Sequence, residues 1–233
     1  MDDDGTLMRM NNWMKCAALG LTALGLVAAG CGQQAQQGEK TYKVGIVQLV
    51  EHSSLDDANR GFVDGLKERG YEEGKNLTID RQNAQADQSN LQNIVQRFIS
   101  DKVDLICAIA TPAVQSAANA TKDIPIVGTA VTDYVSAKVV ASNDAPGGNV
   151  TGTSDLAPIA EQIDLLMQLY PNAKTIGTIY SSSEINSEIQ VKAMTEYAQS
   201  KGLTVRTATI STVNDIQQAA QSMVNDVDVF YEP

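Results

Sequence analysis

The chain is short of aromatic residues, at 5%, and shorter still of side chains that do covalent chemistry: one histidine and three cysteines in 233 residues. With so few rings, any core has to be assembled from Val, Ile, Leu and Ala. His52 is the single imidazole and no Cys-x-x-Cys spacing occurs, so neither a Cys–His nucleophile pair nor a His/Cys metal cluster is available. Also missing are a Gly-x-Gly-x-x-Gly turn after the first strand, a P-loop and a Gly-x-Ser-x-Gly elbow. These absences weigh against a small-molecule α/β enzyme, and no cofactor or metal is expected. Positive charge is scarce as well: 17 Lys and Arg stand against 28 Asp and Glu, giving a net charge of −11. So acidic a surface repels nucleic acid and anionic lipid, and reads as a solvated face.

What is present begins with a leader. Residues 16–30 (CAALGLTALGLVAAG) form an apolar run of signal-peptide length, preceded by Arg9 and Lys15. Asp2, Asp3 and Asp4 do not suit a signal's basic start, which places the expected true start at Met8 or Met10. The run closes on Val27-Ala28-Ala29-Gly30-Cys31, small residues followed by Cys, as at a bacterial lipidation site. Ala28 stands where such sites usually carry Leu. Lipidation of Cys31 would anchor the chain to a membrane, and residues 32–41 read as a flexible tether. Cys107 then remains without a disulfide partner, mid-strand, as a small buried hydrophobe.

The most informative stretch is 103–133, VDLICAIATPAVQSAANATKDIPIVGTAVTD. An apolar run at 103–110 reads as a strand buried on both faces. Thr111 reads as an N-cap with Pro112 at the first helical position. A small-residue helix follows, then a second apolar strand at 124–130. Two strands joined by a helix are parallel, and the unit is right-handed. Similar alternation fills the chain, with strands expected at 42–50, 77–81, 149–154, 175–180, 204–209 and 227–231. The turn-rich NDAPGG at 143–148 is the expected domain boundary. The fold class is therefore α/β in two lobes, 42–148 and 149–233, each a parallel sheet flanked by helices. The last strand runs into Tyr231-Glu232-Pro233 without the loop and helix that follow earlier strands, so a truncated, incomplete second lobe is expected.

Several blocks have a familiar order. KVGIVQLVEHSSLDDANRGFVDGLKERGYEEGKNLTID, QADQSNLQNIVQRFISDKVDLICAIATPAVQSAANAT, DIPIVGTAVTD, GGNVTGTSD and IGTIYSSSEINS resemble ABC-transporter substrate-binding lipoproteins, in particular the family of tryptophan and tyrosine uptake binding proteins. The resemblance spans residues 42–233. It implies a two-lobed, type I periplasmic-binding-protein-like fold, an amino-acid ligand in an interlobe cleft and hinge closure over it. It further implies an ABC permease and its ATPase as partners, an extracytoplasmic location, and a monomer. In that family the chain continues past the last strand into a Thr-Asp-Asn loop that helps line the cleft.

In open α/β sheets, ligands bind beyond the carboxyl ends of the strands, and the candidates lie there. Thr111, at a helix start, can meet a carboxylate with its hydroxyl and N–H, or simply cap the helix. Asp133 can accept an ammonium group, or cap the turn that follows. Glu51, His52 and Ser54 form the first strand-end loop, and Gln48, Leu49 and Ala110 can line a pocket. From the second lobe come Ser154 and Asp155, which can equally be caps, and Ser182, Ser183, Glu184 and Asn186. Binding without chemistry is the expected function. The alternatives are the ligand-sensing ectodomain of a signalling system and, more remotely, an α/β enzyme.

Overall fold

A computed structural model describes residues 40–232. The signal segment 1–31, the lipidation candidate Cys31 and the tether up to residue 39 lie outside the described residues. Residues Thr41–Pro233 form one compact unit, and within it the strands fall into two separate sheets.

The first sheet is entirely parallel, in the order β2-β1-β3-β4-β5. Its strands are β1 (Tyr42–Gln48), β2 (Leu77–Asn83), β3 (Leu105–Ile109), β4 (Ile126–Val131) and β5 (Val150–Ser154). Connecting helices are α1 (Ser53–Glu68), α2 (Gln88–Ser100) and α3 (Thr111–Ala120). The continuous apolar runs of β1 and β3 follow from burial on both faces. Val44, Ile46, Cys107 and Ile109 face α1, through its Leu55, Phe62 and Leu66. Val47, Ile106 and Ala108 face α2 and α3, through Leu91, Val95, Phe98, Val114 and Ala117. Small residues on α3 let it lie close to the sheet, and seven of its ten residues are buried.

Two local expectations need correcting. Thr111 is not the N-cap: Ala110 takes that place, at φ 84° and ψ 153°, and Thr111 is the first helical residue. The strand ends at Ile109, so the reversal into α3 falls on Ala110. The boundary at NDAPGG also fails to coincide with a change of sheet. That stretch is a turn, closed by the Ala141 N–H donating to the Pro146 carbonyl at 3.0 Å. It returns the chain to the edge of the same sheet, where Val150 pairs with Ile126. The sheets change only across 155–158. Turn-rich composition marks a reversal of the chain; it does not say which sheet the next strand joins.

The second sheet has three parallel strands, β7-β6-β8. They are β6 (Thr175–Ser181), β7 (Thr204–Ile210) and β8 (Val229–Phe230). Helices α4 (Ile159–Leu169) and α5 (Ile185–Ser200) cover one face with Ile163, Leu166, Val191 and Met194 packed on Ile176. A short 3-10 turn, Val213–Asp215, leads into α6 (Ile216–Met223), in which only Met223 is buried. Among the described residues no helix is long and apolar enough to cross a membrane.

Candidate functional site

With all strands parallel, every strand of a sheet delivers its carboxyl end to one edge. In the first sheet the order reverses between β1 and β3, and in the second between β6 and β8. Such switch points open a crevice between the diverging loops. At the first, the loops are 49–52 after β1 and Ala110-Thr111 after β3.

The helix start at Thr111 is unusually bare. Ala110 donates its N–H to the Thr129 carbonyl at 3.0 Å, Pro112 has no N–H, and Ala113 and Val114 both turn theirs back to the Ala110 carbonyl at 3.1 and 3.2 Å. Of the donors orphaned at a helix start, that leaves the Thr111 N–H. Thr111 itself is 3% exposed. Ala110 holds a backbone conformation that is nearly exclusive to glycine, a strain of about 1–3 kcal/mol placed at the switch point.

The β1–α1 loop is ordered by its own polar groups. His52 is the N-cap of α1, its Nδ1 accepting from the Ser54 N–H at 3.3 Å; the lone histidine is thus engaged in the fold. Glu51 lines a pocket of about 260 Å³ with Gln48, Asp56, Asn59 and the Arg81–Asn83 end of β2. Arg81 is held by Glu73 through two hydrogen bonds of 2.9 and 2.8 Å. These β2 and α1 residues were not among the sequence candidates. The signal for them was present in the polar Arg81-Gln82-Asn83 that closes an otherwise alternating strand.

Asp133 is occupied by its own turn. Its Oδ1 accepts from the Ser136 N–H at 2.6 Å, and bonds from Ser136, with Asn143 adding a smaller share, hold its carboxyl below the usual range. Ser154 donates to the Thr132 carbonyl at 2.7 Å and accepts from the Leu156 N–H at 3.2 Å. Asp155 donates its N–H to the Val131 carbonyl at 3.0 Å. Ser154 also lines a second pocket of about 160 Å³, beneath Tyr134 and Asn143 on the β5 side. Glu51 and Ser154 therefore border different cavities.

In the second lobe, Ser182 is exposed in the loop after β6, beside a 2.8 Å hydrogen bond between the Ser181 and Ser183 hydroxyls. Asn186, in the first turn of α5, has a buried Oδ1 with no hydrogen-bond partner. Glu232 sits past the end of β8, beside the β6–β8 switch point, and was not anticipated. Its carboxylate accepts from the Ile179 N–H at 3.2 Å, and burial pushes its carboxyl above the usual range.

Comparison with known proteins fits this architecture. The family model for ABC transporter substrate binding proteins matches residues 43–233. A tyrosine-binding protein of Clostridioides difficile is 50% identical over 195 residues, which cover 84% of this chain and 56% of that protein. An ABC domain from Streptococcus pneumonia, solved in complex with L-Trp, superposes with a TM-score of 0.81 at 42% identity, over 83% of this chain and 65% of that one. The ligand-free, open structure of a substrate-binding protein with adhesive properties from Clostridium difficile is 48% identical, with a TM-score of 0.61 over the same shares. The chain thus spans a little over half the length of the curated relative and about two thirds of the solved ones. The fold is the two-lobed, type I periplasmic-binding-protein-like architecture, and the chain belongs to the ABC transporter substrate-binding protein family.

Proposed function

We propose that the protein is the extracytoplasmic solute-binding component of an ABC uptake transporter, and that its ligand is an aromatic amino acid held between the switch-point edges of its two lobes. The observation that carries this reading is the likeness to the L-Trp-bound domain: TM-score 0.81, against 0.61 for the ligand-free, open relative that is closer in sequence. The relative described as tyrosine-binding, at 50% identity, supports the same ligand class.

The local chemistry suits a zwitterion in part. Thr111 offers an N–H and a hydroxyl at the positive end of a helix, the arrangement a carboxylate needs. The ammonium group needs an acceptor with spare capacity. Asp133 is spent on its turn, so the exposed carboxylate of Glu51 is the better candidate on the first lobe. On the second lobe the unpartnered Asn186 Oδ1 can accept from ligand. Specificity would come from these few polar contacts in a cleft that closes by a hinge, with no covalent step. Partners would be a permease and its ATPase, and Cys31 would carry the lipid anchor.

A thermal-shift and calorimetric panel of the twenty L-amino acids tests the reading. Ligand at a hundred times its dissociation constant adds about 2.7 kcal/mol to the stability of the state that binds it. A selective rise in midpoint with tyrosine, tryptophan or phenylalanine is expected. A cooperative transition that no amino acid moves would refute it.

A further inference from the structure

Gln48 is the last residue of β1 and is 4% exposed, directly beneath the loop that leaves the switch point. Both polar atoms of its side chain are engaged. Nε2 donates to the Val50 carbonyl at 2.9 Å and to Asp56 Oδ1 at 2.7 Å, while Oε1 accepts from Asn59 Nδ2 at 3.2 Å. An amide both donates twice and accepts, and no other side chain of this size does so without charge. The backbone here is tied just as closely. The Gln48 carbonyl accepts from the Ala84 N–H at 2.9 Å, the Leu49 carbonyl from the Ala86 N–H at 2.8 Å, and the Leu49 N–H donates to the Ile109 carbonyl at 3.3 Å. The loop is therefore pinned from β3, from the β2–α2 turn and, through the Gln48 side chain at one end and His52 at the other, from α1.

We propose that Gln48, acting with Asp56 and Asn59, is a positioning residue for ligand capture: it fixes the 49–52 loop against the first turn of α1 and so sets where Glu51 and Ser54 meet the ligand. The inference rests on the amino-acid-binding reading above. A helix cap by His52 and a buried amide network divide the work, the first fixing the start of α1 and the second fixing the loop against it. Gln48 itself is buried, and a buried amide left half satisfied is costly. Gln48→Glu can still accept from Asn59, but it has nothing to donate to Val50 and sets a carboxylate against Asp56. Asp56→Asn keeps an oxygen for Nε2 to reach, whereas Asp56→Leu removes it. Asp56 is exposed, so its variants leave the core untouched.

The experiment measures L-tyrosine and L-tryptophan affinity by calorimetry, and ligand-free hydrogen exchange of amides 49–54, in the wild-type chain and the three variants. Gln48→Glu and Asp56→Leu should bind roughly tenfold or more weakly, with faster loop exchange, while Asp56→Asn keeps loop exchange close to the wild-type rate and is impaired less than Asp56→Leu. If Gln48→Glu does not fold, Asn59→Leu with Asp56→Leu carries the same comparison. Loop exchange unchanged in the variants, affinity unchanged despite a loosened loop, or Asp56→Asn as impaired as Asp56→Leu would each overturn the proposal. A wild-type chain that binds no amino acid refutes the ligand reading instead, and the exchange data then decide the loop-fixing role by themselves.

Discussion

The two lobes are wired alike and covered unlike. Strands β2-β1-β3 and β7-β6-β8 share order and direction, and the register places Val44 opposite Leu105 where Ile176 stands opposite Val229. In each, an aspartate just before the third strand captures backbone N–H at the start of the central one. Asp104 accepts from Lys43 at 2.8 Å; Asp228 accepts from Lys174 at 2.7 Å and Thr175 at 2.9 Å. A glycine sits at the matching place on each central strand, Gly45 and Gly177, and a phenylalanine covers it. The difference is what covers the phenylalanine. Phe98 is wholly buried between α2 and the sheet, whereas Phe230 on β8 is 36% exposed. Leu165, Leu169, Val213, Ile216 and Val224 on the second lobe are also exposed, against Tyr71 and Val135 on the first. Topology and strand-start capture are thus local properties that a half can possess alone; burial is not.

Matched substitutions test this contrast. The largest effect is expected from the two phenylalanines. Phe98→Ala should cost about 3–5 kcal/mol, as for a fully enclosed ring, and Phe230→Ala less than about 1 kcal/mol, as for a surface position. Urea denaturation followed at both lobes measures each; equal losses would show that the second lobe is as closed as the first.

The glycines come next. A Cβ at Gly45 would lie 2.6 Å from the Phe98 ring, and one at Gly177 would lie 2.9 Å from the Phe230 ring. Enclosed Phe98 has nowhere to go, so Gly45→Ala should destabilise by about 1–3 kcal/mol. Phe230 can swing toward solvent, so Gly177→Ala should cost clearly less. Denaturation midpoints of the pair decide it, and a Gly177→Ala as severe as Gly45→Ala would place the second ring in a closed site.

The smallest effect is electrostatic. Backbone N–H groups of Lys174 and Thr175 hold the Asp228 carboxyl below its ordinary 3.8. A depressed folded value means stability that is fully present above the ordinary one and lost as pH falls through the folded one. Asp228→Asn should therefore be weaker than wild type at neutral pH, with the gap narrowing on acidification below 3.8. A gap independent of pH in second-lobe unfolding would exclude the carboxylate as its source.

Much of the shared wiring is legible in the amino-acid sequence, because alternation of apolar runs with amphipathic stretches is itself the record of β and α. The order of elements and their parallel pairing follow from it. What escapes are facts that reside in a partner. Nothing within Val150–Ser154 says that its neighbour is β4, and the Gly/Pro-rich turn before it looks the same whether it joins strands or lobes. His52 gives no sign of capping α1, since the cap depends on the loop conformation that Gln48 enforces. Gln48 reads as a pocket lining and does border the Glu51 pocket, but an amide at a strand end gives no sign of its bonds to Val50, Asp56 and Asn59. For Asp133, Ser154 and Asp155 the sequence leaves ligand contact and capping equally open; in the fold Asp133 and Ser154 close their own turns, and Asp155 ties its backbone to β4.

Ala110 carries a consequence beyond its own turn. It is an L-residue in a conformation where glycine would be at ease, so laboratory selection for heat resistance alone would be drawn to exchange it. That it stands at the switch point between β1 and β3 makes the position an informative one to leave free in such a selection. Lineages that keep alanine when ligand binding is also demanded, and lose it when only survival of the fold is scored, would reveal a direct conflict between endurance and recognition at a single methyl group.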